Sequence, residues 1–215
     1  NSACKSEDRA NLLLGDIRDT VARNGALIIP AFSLERTQAM LFEINNFVES
    51  GRISPLPVFL DSPLAIAVTD VYRKYADYLK KDVREQIAHG DDIFDFPKLS
   101  LTKTVAASHQ IMRTPGPKII IAGSGMSHGG RIREHERRYL ADPDTTLLLV
   151  GYQSIGSVGR LLQNGAKRVR LDGVDIRVKA RIATIGGYSA HADRDGLIDF
   201  VARGGDQVER VFVTM

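Results

Sequence analysis

Two short stretches of this sequence combine residue types that can act on a phosphate. The first is Gly123-Ser124-Gly125-Met126-Ser127-His128-Gly129-Gly130. A glycine-rich turn between a strand and a helix lets backbone N–H groups point at an anion, helped by the helix N-terminus. Arg131 and Arg133 follow at once and could add charge. The same glycines would also be needed in a tight turn that binds nothing. The dinucleotide-binding fingerprint fails: the spacing is not G-x-G-x-x-G, and no acidic strand end follows about 20 residues on. The second stretch is Ser189-Ala190-His191-Ala192-Asp193. A histidine on a loop between strand and helix can serve as a general acid or a metal ligand. The plainer reading is that Asp193 caps the helix and His191 is merely exposed.

Three smaller features belong with these. Glu7-Asp8-Arg9 precedes a helix. Such charges complement the helix dipole from a solvated first turn. Arg36 and Gln38 begin a later helix, and Tyr152 and Gln153 follow a strand. Arginine can hold a phosphate through two N–H groups and tyrosine can stack on a base; packing and capping explain them equally well. His89, His109, His128 and His135 lack the H-x-H or H-E-x-x-H spacing of metal ligands and read as surface or local structure. Cys4 is the single cysteine, which excludes an internal disulfide framework and a thiolate zinc site.

The elements that must position these residues follow from periodicity. Ala10, Leu13, Leu14, Ile17 and Val21 recur at helical spacing, and Asn24-Gly25 stops that helix. The apolar run from Ala26 to Phe32 suits a buried strand. Met40, Leu41, Ile44, Phe47 and Val48 mark the core face of the next helix, which Ser33 could cap. Residues 57–60 read as a second strand, with Ser62 as N-cap and Pro63 at the first helical position. A long helical region runs to His89, and residues 90–116 look irregular. Residues 118–122 and 145–150 read as two more strands, separated by a charged helix at 131–140. Beyond 166 the pattern changes to strand-like alternation at 169–171 and 175–185, then a helix at 197–201 and a last strand at 210–215.

The alternation of strands and helices predicts an α/β fold with a mostly parallel sheet flanked by helices. In such sheets ligands bind outside the carboxyl ends of the strands. Four of those ends carry Pro30-Ala31-Phe32-Ser33, Asp61-Ser62-Pro63, Gly123-Ser124-Gly125 and Gly151-Tyr152-Gln153, and parallel strands would gather them on one rim. Length and composition agree: 215 residues with 43% hydrophobic and 26% charged side chains support a packed core and exclude a disordered or coiled-coil chain. No apolar run approaches the roughly 18 residues of a membrane helix. A net charge of +3 permits a nucleic-acid partner only if the basic residues cluster. The lone cysteine and the lack of a signal-peptide pattern make a cytoplasmic setting the default. The opening Asn1-Ser2-Ala3 and a terminal strand in progress suggest a piece of a longer protein.

Together these segments resemble a known family. Leu27-Ile28-Ile29-Pro30-Ala31-Phe32-Ser33-Leu34-Glu35-Arg36-Thr37-Gln38 is similar to the LIPAFAVERAQ segment of the metallo-β-lactamase/β-CASP RNA-processing nucleases, which include the cleavage-and-polyadenylation nuclease subunit. Leu60 to Ala65, Ala122 to Met126 with Gly129 to Ile132, Gly151 to Gln153, and Gly187 to Asp193 match in order and spacing across essentially the whole chain. The resemblance implies a zinc-dependent ribonuclease with two zinc ions, RNA as partner, and a β-CASP domain inserted into a metallo-β-lactamase domain. It implies a division into a linker helix at 1–25, the β-CASP domain at 26–166, and an incomplete return to the metallo-β-lactamase domain, a small mixed β segment, at 167–215. By position His191 becomes the general acid and Asp8 the carboxylate that orients it. Ser124, Gly125, Arg131, Ser189, Arg36 and Gln153 become candidate RNA-phosphate contacts. The family's H-x-H-x-D-H zinc motif has no counterpart here, and the family histidine after the last strand falls at or beyond Met215. The expectation is therefore that the metal ligands lie mostly outside this chain, that the missing metallo-β-lactamase residues are a partner, and that the chain alone is inactive. A homodimer is among the assemblies the resemblance allows. Two other readings are a non-catalytic RNA-binding paralogue of a processing complex and a phosphate- or nucleotide-binding α/β enzyme.

Overall fold

The computed structural model describes residues 6–188, 192 and 194–213. Helix α1 (Ser6–Ala22) buries Leu13, Leu14 and Ile17, and the chain turns into β1 (Ala26–Pro30), which is buried along its whole length. Helix α2 (Arg36–Glu49) packs Met40, Leu41, Ile44 and Phe47 inward. After β2 (Val58–Asp61), the Ser62 hydroxyl accepts from the Ala65 amide at 3.2 Å and Pro63 opens α3 (Pro63–Lys74). Then come α4 (Lys81–Ala88), β3 (Leu99–Leu101), α5 (Val105–Ile111), β4 (Lys118–Ala122), α6 (Ile132–Tyr139), β5 (Thr146–Leu149) and α7 (Val158–Gln163). The hairpin β6 (Arg168–Leu171) and β7 (Val174–Arg177) precedes β8 (Arg181–Thr184) and α8 (Arg194–Ala202).

Six strands form one parallel sheet in the order β3-β2-β4-β1-β5-β8. Alternate side chains of each strand enter different cores, as the two-residue period requires. Leu27 and Ile29 of β1 pack with α1, α2 and α3, whereas Ala26 and Ile28 pack with Ile111 of α5, Ile132 of α6, Leu162 of α7 and the hairpin. The helix leaving β1 therefore lies on one face, and the helices leaving its two neighbours, β4 and β5, lie on the other. That reversal opens crevices at the carboxyl end of β1, the position where doubly wound sheets bind ligands.

Five local readings of the sequence are modified. Ser33 does not cap α2, whose N-cap position is Glu35 with no side-chain cap hydrogen bond. Residues 90–116 contain β3 and α5. Helix α5 buries only Ser108 and Ile111, so it shows no apolar period. The 175–185 stretch is broken: residues 179 and 180 leave the ladder, and both amides donate to the Leu140 carbonyl. Its second half, β8, pairs with β5 and so extends the main sheet beyond residue 166. Residues 208–213 form no strand among the described residues. A strand forms only where its amides and carbonyls find a ladder, and these residues have none among those described.

Candidate nucleic-acid interface

The sheet order delivers the predicted turns to one rim. β4 lies between β1 and β2, so Gly123 sits against the hydroxyls of both Ser33 and Ser62, which are 3.4 Å apart. Two glycines of the turn are sterically required. A Cβ at Gly125 would come within 2.5 Å of the Phe32 ring, and one at Gly130, whose φ is +75°, within 2.4 Å of the Gly123 carbonyl oxygen. The Ser124 hydroxyl accepts from the amides of His128 and Gly129 at 3.1 and 3.3 Å, which closes the turn on itself. Gln153 is buried, and its Nε2 donates to the carbonyls of Gly125 and Gly151 at 3.0 and 3.2 Å. It ties the turn after β5 to the turn after β4.

The three arginines near this rim have different surroundings. Arg131 donates from Nη1 to Asp61 Oδ1 at 2.7 Å and to the Thr102 carbonyl at 2.6 Å, and from Nη2 to the Lys103 carbonyl. Its guanidinium is thus held inward. Arg133 donates to the Ser127 carbonyl and to Asp172. Arg36 is buried, 8% exposed, and no hydrogen bond or ion pair engages its side chain among the described residues. Its guanidinium lies over the Phe32 ring at 4.9 Å.

Two buried carboxylates anchor the surroundings. Asp61, at the end of β2, accepts from Thr102 Oγ1 and Arg131 on one oxygen and from Ser108 Oγ and His135 Nε2 on the other, all at 2.6–2.7 Å. Burial alone would raise its pKa, but these donors, His135 foremost, hold it at about 2. Glu136, one residue after His135, accepts from Ser127 Oγ, and its other oxygen has no partner. Burial pushes its pKa up to about 7.

A third carboxylate joins the ends of the chain. Glu43 of α2 takes Nε and Nη2 of Arg9 on Oε1 at 3.1 and 2.9 Å, and the Tyr188 hydroxyl on Oε2 at 2.5 Å. Arg9 also donates to the Gly187 carbonyl at 2.8 Å and lies over the Tyr188 ring at 4.3 Å. Burial and then the Glu43 charge push the Tyr188 hydroxyl pKa up. Asp8, in the first turn of α1, is exposed. His191 and Ser189 lie outside the described residues. No group of three or more His, Cys, Asp or Glu that could hold a metal ion occurs among the described residues.

The Beta-Casp domain family model matches residues 37–162, more than half of the chain. The chain belongs to the β-CASP family. The model of the Zn-dependent metallo-hydrolase RNA specificity domain matches residues 175–212 of this β-CASP chain. The chain is similar to Ribonuclease TTHA0252 of Thermus thermophilus, 34% identical over 86% of the chain and 42% of that protein. It is 35% identical to transcription termination factor FttA of Thermococcus kodakarensis, over 95% of the chain and 32% of that protein. It is 30% identical to an RNase J-like protein of Methanocaldococcus jannaschii, over 89% of the chain and 43% of that protein. The β-CASP chain thus spans less than half the length of these relatives.

Several residues of this β-CASP interface were not singled out from sequence. Asp61 was read only as a strand end, although a carboxylate closing an apolar strand signals a buried, paired charge. His135 was read as surface or local structure. Ile132, His135, Glu136 and Tyr139 form the i, i+3, i+4, i+7 stripe of α6, and all four are buried. That stripe was the available signal. Arg9, Glu43 and Tyr188 come from three distant segments and left no local one.

Proposed function

We propose that the protein carrying this chain is a zinc-dependent ribonuclease that hydrolyses RNA phosphodiester bonds. In this reading the chain supplies an RNA-binding rim and a general acid, His191. The observation that carries it is the Arg9–Gly187 hydrogen bond, reinforced by Glu43 and Tyr188. It joins the residue next to Asp8 to the segment that leads, three residues after Tyr188, into His191. A carboxylate on one imidazole nitrogen fixes the tautomer and supports the protonated form, which can then protonate a leaving ribose oxygen. The glycine- and hydroxyl-rich rim at the carboxyl end of β1 would hold the RNA backbone. The description of the second matched domain and the ribonuclease among the relatives support the substrate and the zinc. The described residues do not themselves form a zinc site, so the metal would be held by other residues.

The test is RNA cleavage with zinc by the natural protein carrying this chain. His191→Ala should lower the cleavage rate by about 10²- to 10⁴-fold while RNA remains bound. Undiminished cleavage by that variant removes His191 from the reaction. RNA binding without any cleavage by the unaltered protein would favour a non-catalytic role in RNA processing.

A further inference from the structure

Arg36 presents an electrostatic problem that no acceptor among the described residues solves. A guanidinium is a cation. Burying such a charge without a counter-ion or hydrogen-bond acceptor is costly. The buried carboxylates and the buried lysine have partners: Asp61 has four donors, Glu43 has Arg9 and Tyr188, Glu136 has Ser127, and Lys118 donates to two carbonyls. Arg36 has none among the described residues, and its Nε is buried with no acceptor.

Its position is fixed. It is the first residue of α2, beside the crevice between β1 and β5. Gly151, in the turn after β5, is packed so closely that a Cβ there would lie 3.1 Å from Arg36 Nε. The Phe32 ring supports the guanidinium from another side, and Phe32 itself rests on Gly125. Immediately after Gly151 comes Tyr152, an aromatic ring left 63% exposed. The turn that carries it is pinned by the Gln153 amide, and the Arg160 guanidinium lies 5.5 Å from its ring centre. A buried guanidinium with no acceptor among the described residues and an exposed ring, beside which the Arg160 guanidinium lies, thus flank one glycine.

We propose that Arg36 and Tyr152 form a one-nucleotide subsite for single-stranded RNA, in which Arg36 holds a backbone phosphate and Tyr152 stacks on the adjoining base. The proposal rests on the ribonuclease reading and adds where the strand is gripped. A free phosphate would satisfy Arg36 but would leave Tyr152 without a role. Stacking is sequence-tolerant because every base has a flat face, so the subsite grips RNA without selecting a sequence.

The experiment measures binding of a short fluorescein-labelled oligouridylate by anisotropy, with the natural protein in metal chelator so that no cleavage occurs. Tyr152→Ala should weaken binding by about 5- to 150-fold. Arg36→Gln should weaken it and reduce the slope of log affinity against log salt by about 0.7. Arg36→Lys should keep that slope. An oligomer with the same ribose–phosphate backbone but no bases should still respond to Arg36→Gln and be indifferent to Tyr152→Ala. Because the Arg36 side chain is buried with no acceptor among the described residues, Arg36→Gln should also leave the urea midpoint unchanged or raised, which a purely structural arginine would not do. Two outcomes overturn the subsite: oligouridylate affinity and salt slope that ignore both substitutions, or an Arg36→Gln variant that loses stability while binding RNA normally. In both of these the unaltered protein still binds RNA and the ribonuclease reading stands. If the unaltered protein binds no RNA at all, both fall.

Discussion

Asp61 and Glu136 are buried carboxylates in adjoining networks, and their environments drive them in opposite directions. Asp61 is surrounded by donors that favour its charged form, and its pKa of about 2 lies below the ordinary 3.8. A carboxyl depressed in the fold stabilises above its unfolded pKa, and the contribution is lost as pH falls from about 4 towards 2. At about 1.4 kcal/mol per unit this is roughly 2 kcal/mol. Glu136 has one hydroxyl donor and an orphan oxygen, and its pKa of about 7 lies above the ordinary 4.5. The folded state then binds the proton more tightly than the unfolded state, so stability falls as pH rises from about 4.5 to 7 and stays low above. The difference is about 3 kcal/mol. Urea midpoints measured from pH 3 to 8 should therefore rise and then decline. Glu136→Gln should remove the decline and be the more stable protein at pH 8. Asp61→Asn should remove the acid limb and, by leaving Arg131 without its counter-charge, lower stability across the range by about 3 kcal/mol or more. A Glu136→Gln variant less stable than the parent at pH 8 would show that the glutamate is held ionised.

At the scale of elements, what was legible in the sequence was what is buried. β1, β4 and β5 are buried along their whole length and, apart from Lys118 and Thr146, apolar because both faces are covered, and α2 shows its stripe because one face meets the sheet. β3 and α5 were not legible. A three-residue edge strand has little pattern, and α5 turns only two side chains inward. The rim of the candidate site could be placed from the parallel order alone, since every strand ends at the same side. The contact among α1, α2 and the segment after β8 could not. Glu43 is 34 residues from Arg9 and 145 from Tyr188, and only the fold brings them together. If Glu43 joins these elements, the effects of Arg9→Gln and Tyr188→Phe on stability should be non-additive by 0.5 to 3 kcal/mol, because both partners share one buried carboxylate. In the cleavage assay both substitutions should lower kcat more than they change KM if, as proposed, the contact orients the approach to His191. Additive stability losses with kcat unchanged would separate the contact from the reaction.

The whole molecule carries one imbalance. The sheet is covered on both faces, which provides two cores within this chain. Helix α8 and the residues after it do not join them. No side chain of α8 is buried among the described residues, and Phe200 and Phe212 are 77% and 81% exposed, with Leu197, Ile198, Val211 and Val213 also largely in water. A contiguous apolar surface, where such exposed side chains adjoin, marks a contact with another body of protein. These relatives are more than twice as long as the chain, and α8 lies within the second matched domain; we propose that a further part of the same protein covers it. Expressed alone, the chain should fold around its sheet yet bind a hydrophobic dye and self-associate with rising concentration in sedimentation. Phe200→Glu with Phe212→Glu should suppress both behaviours and shift stability by no more than about 0.5 kcal/mol, as substitutions outside a core do. The natural protein should neither bind the dye at this surface nor respond to the paired substitution by becoming less associated. An isolated chain that stays monomeric and dark to the dye would mean that α8 finds its cover within these 215 residues.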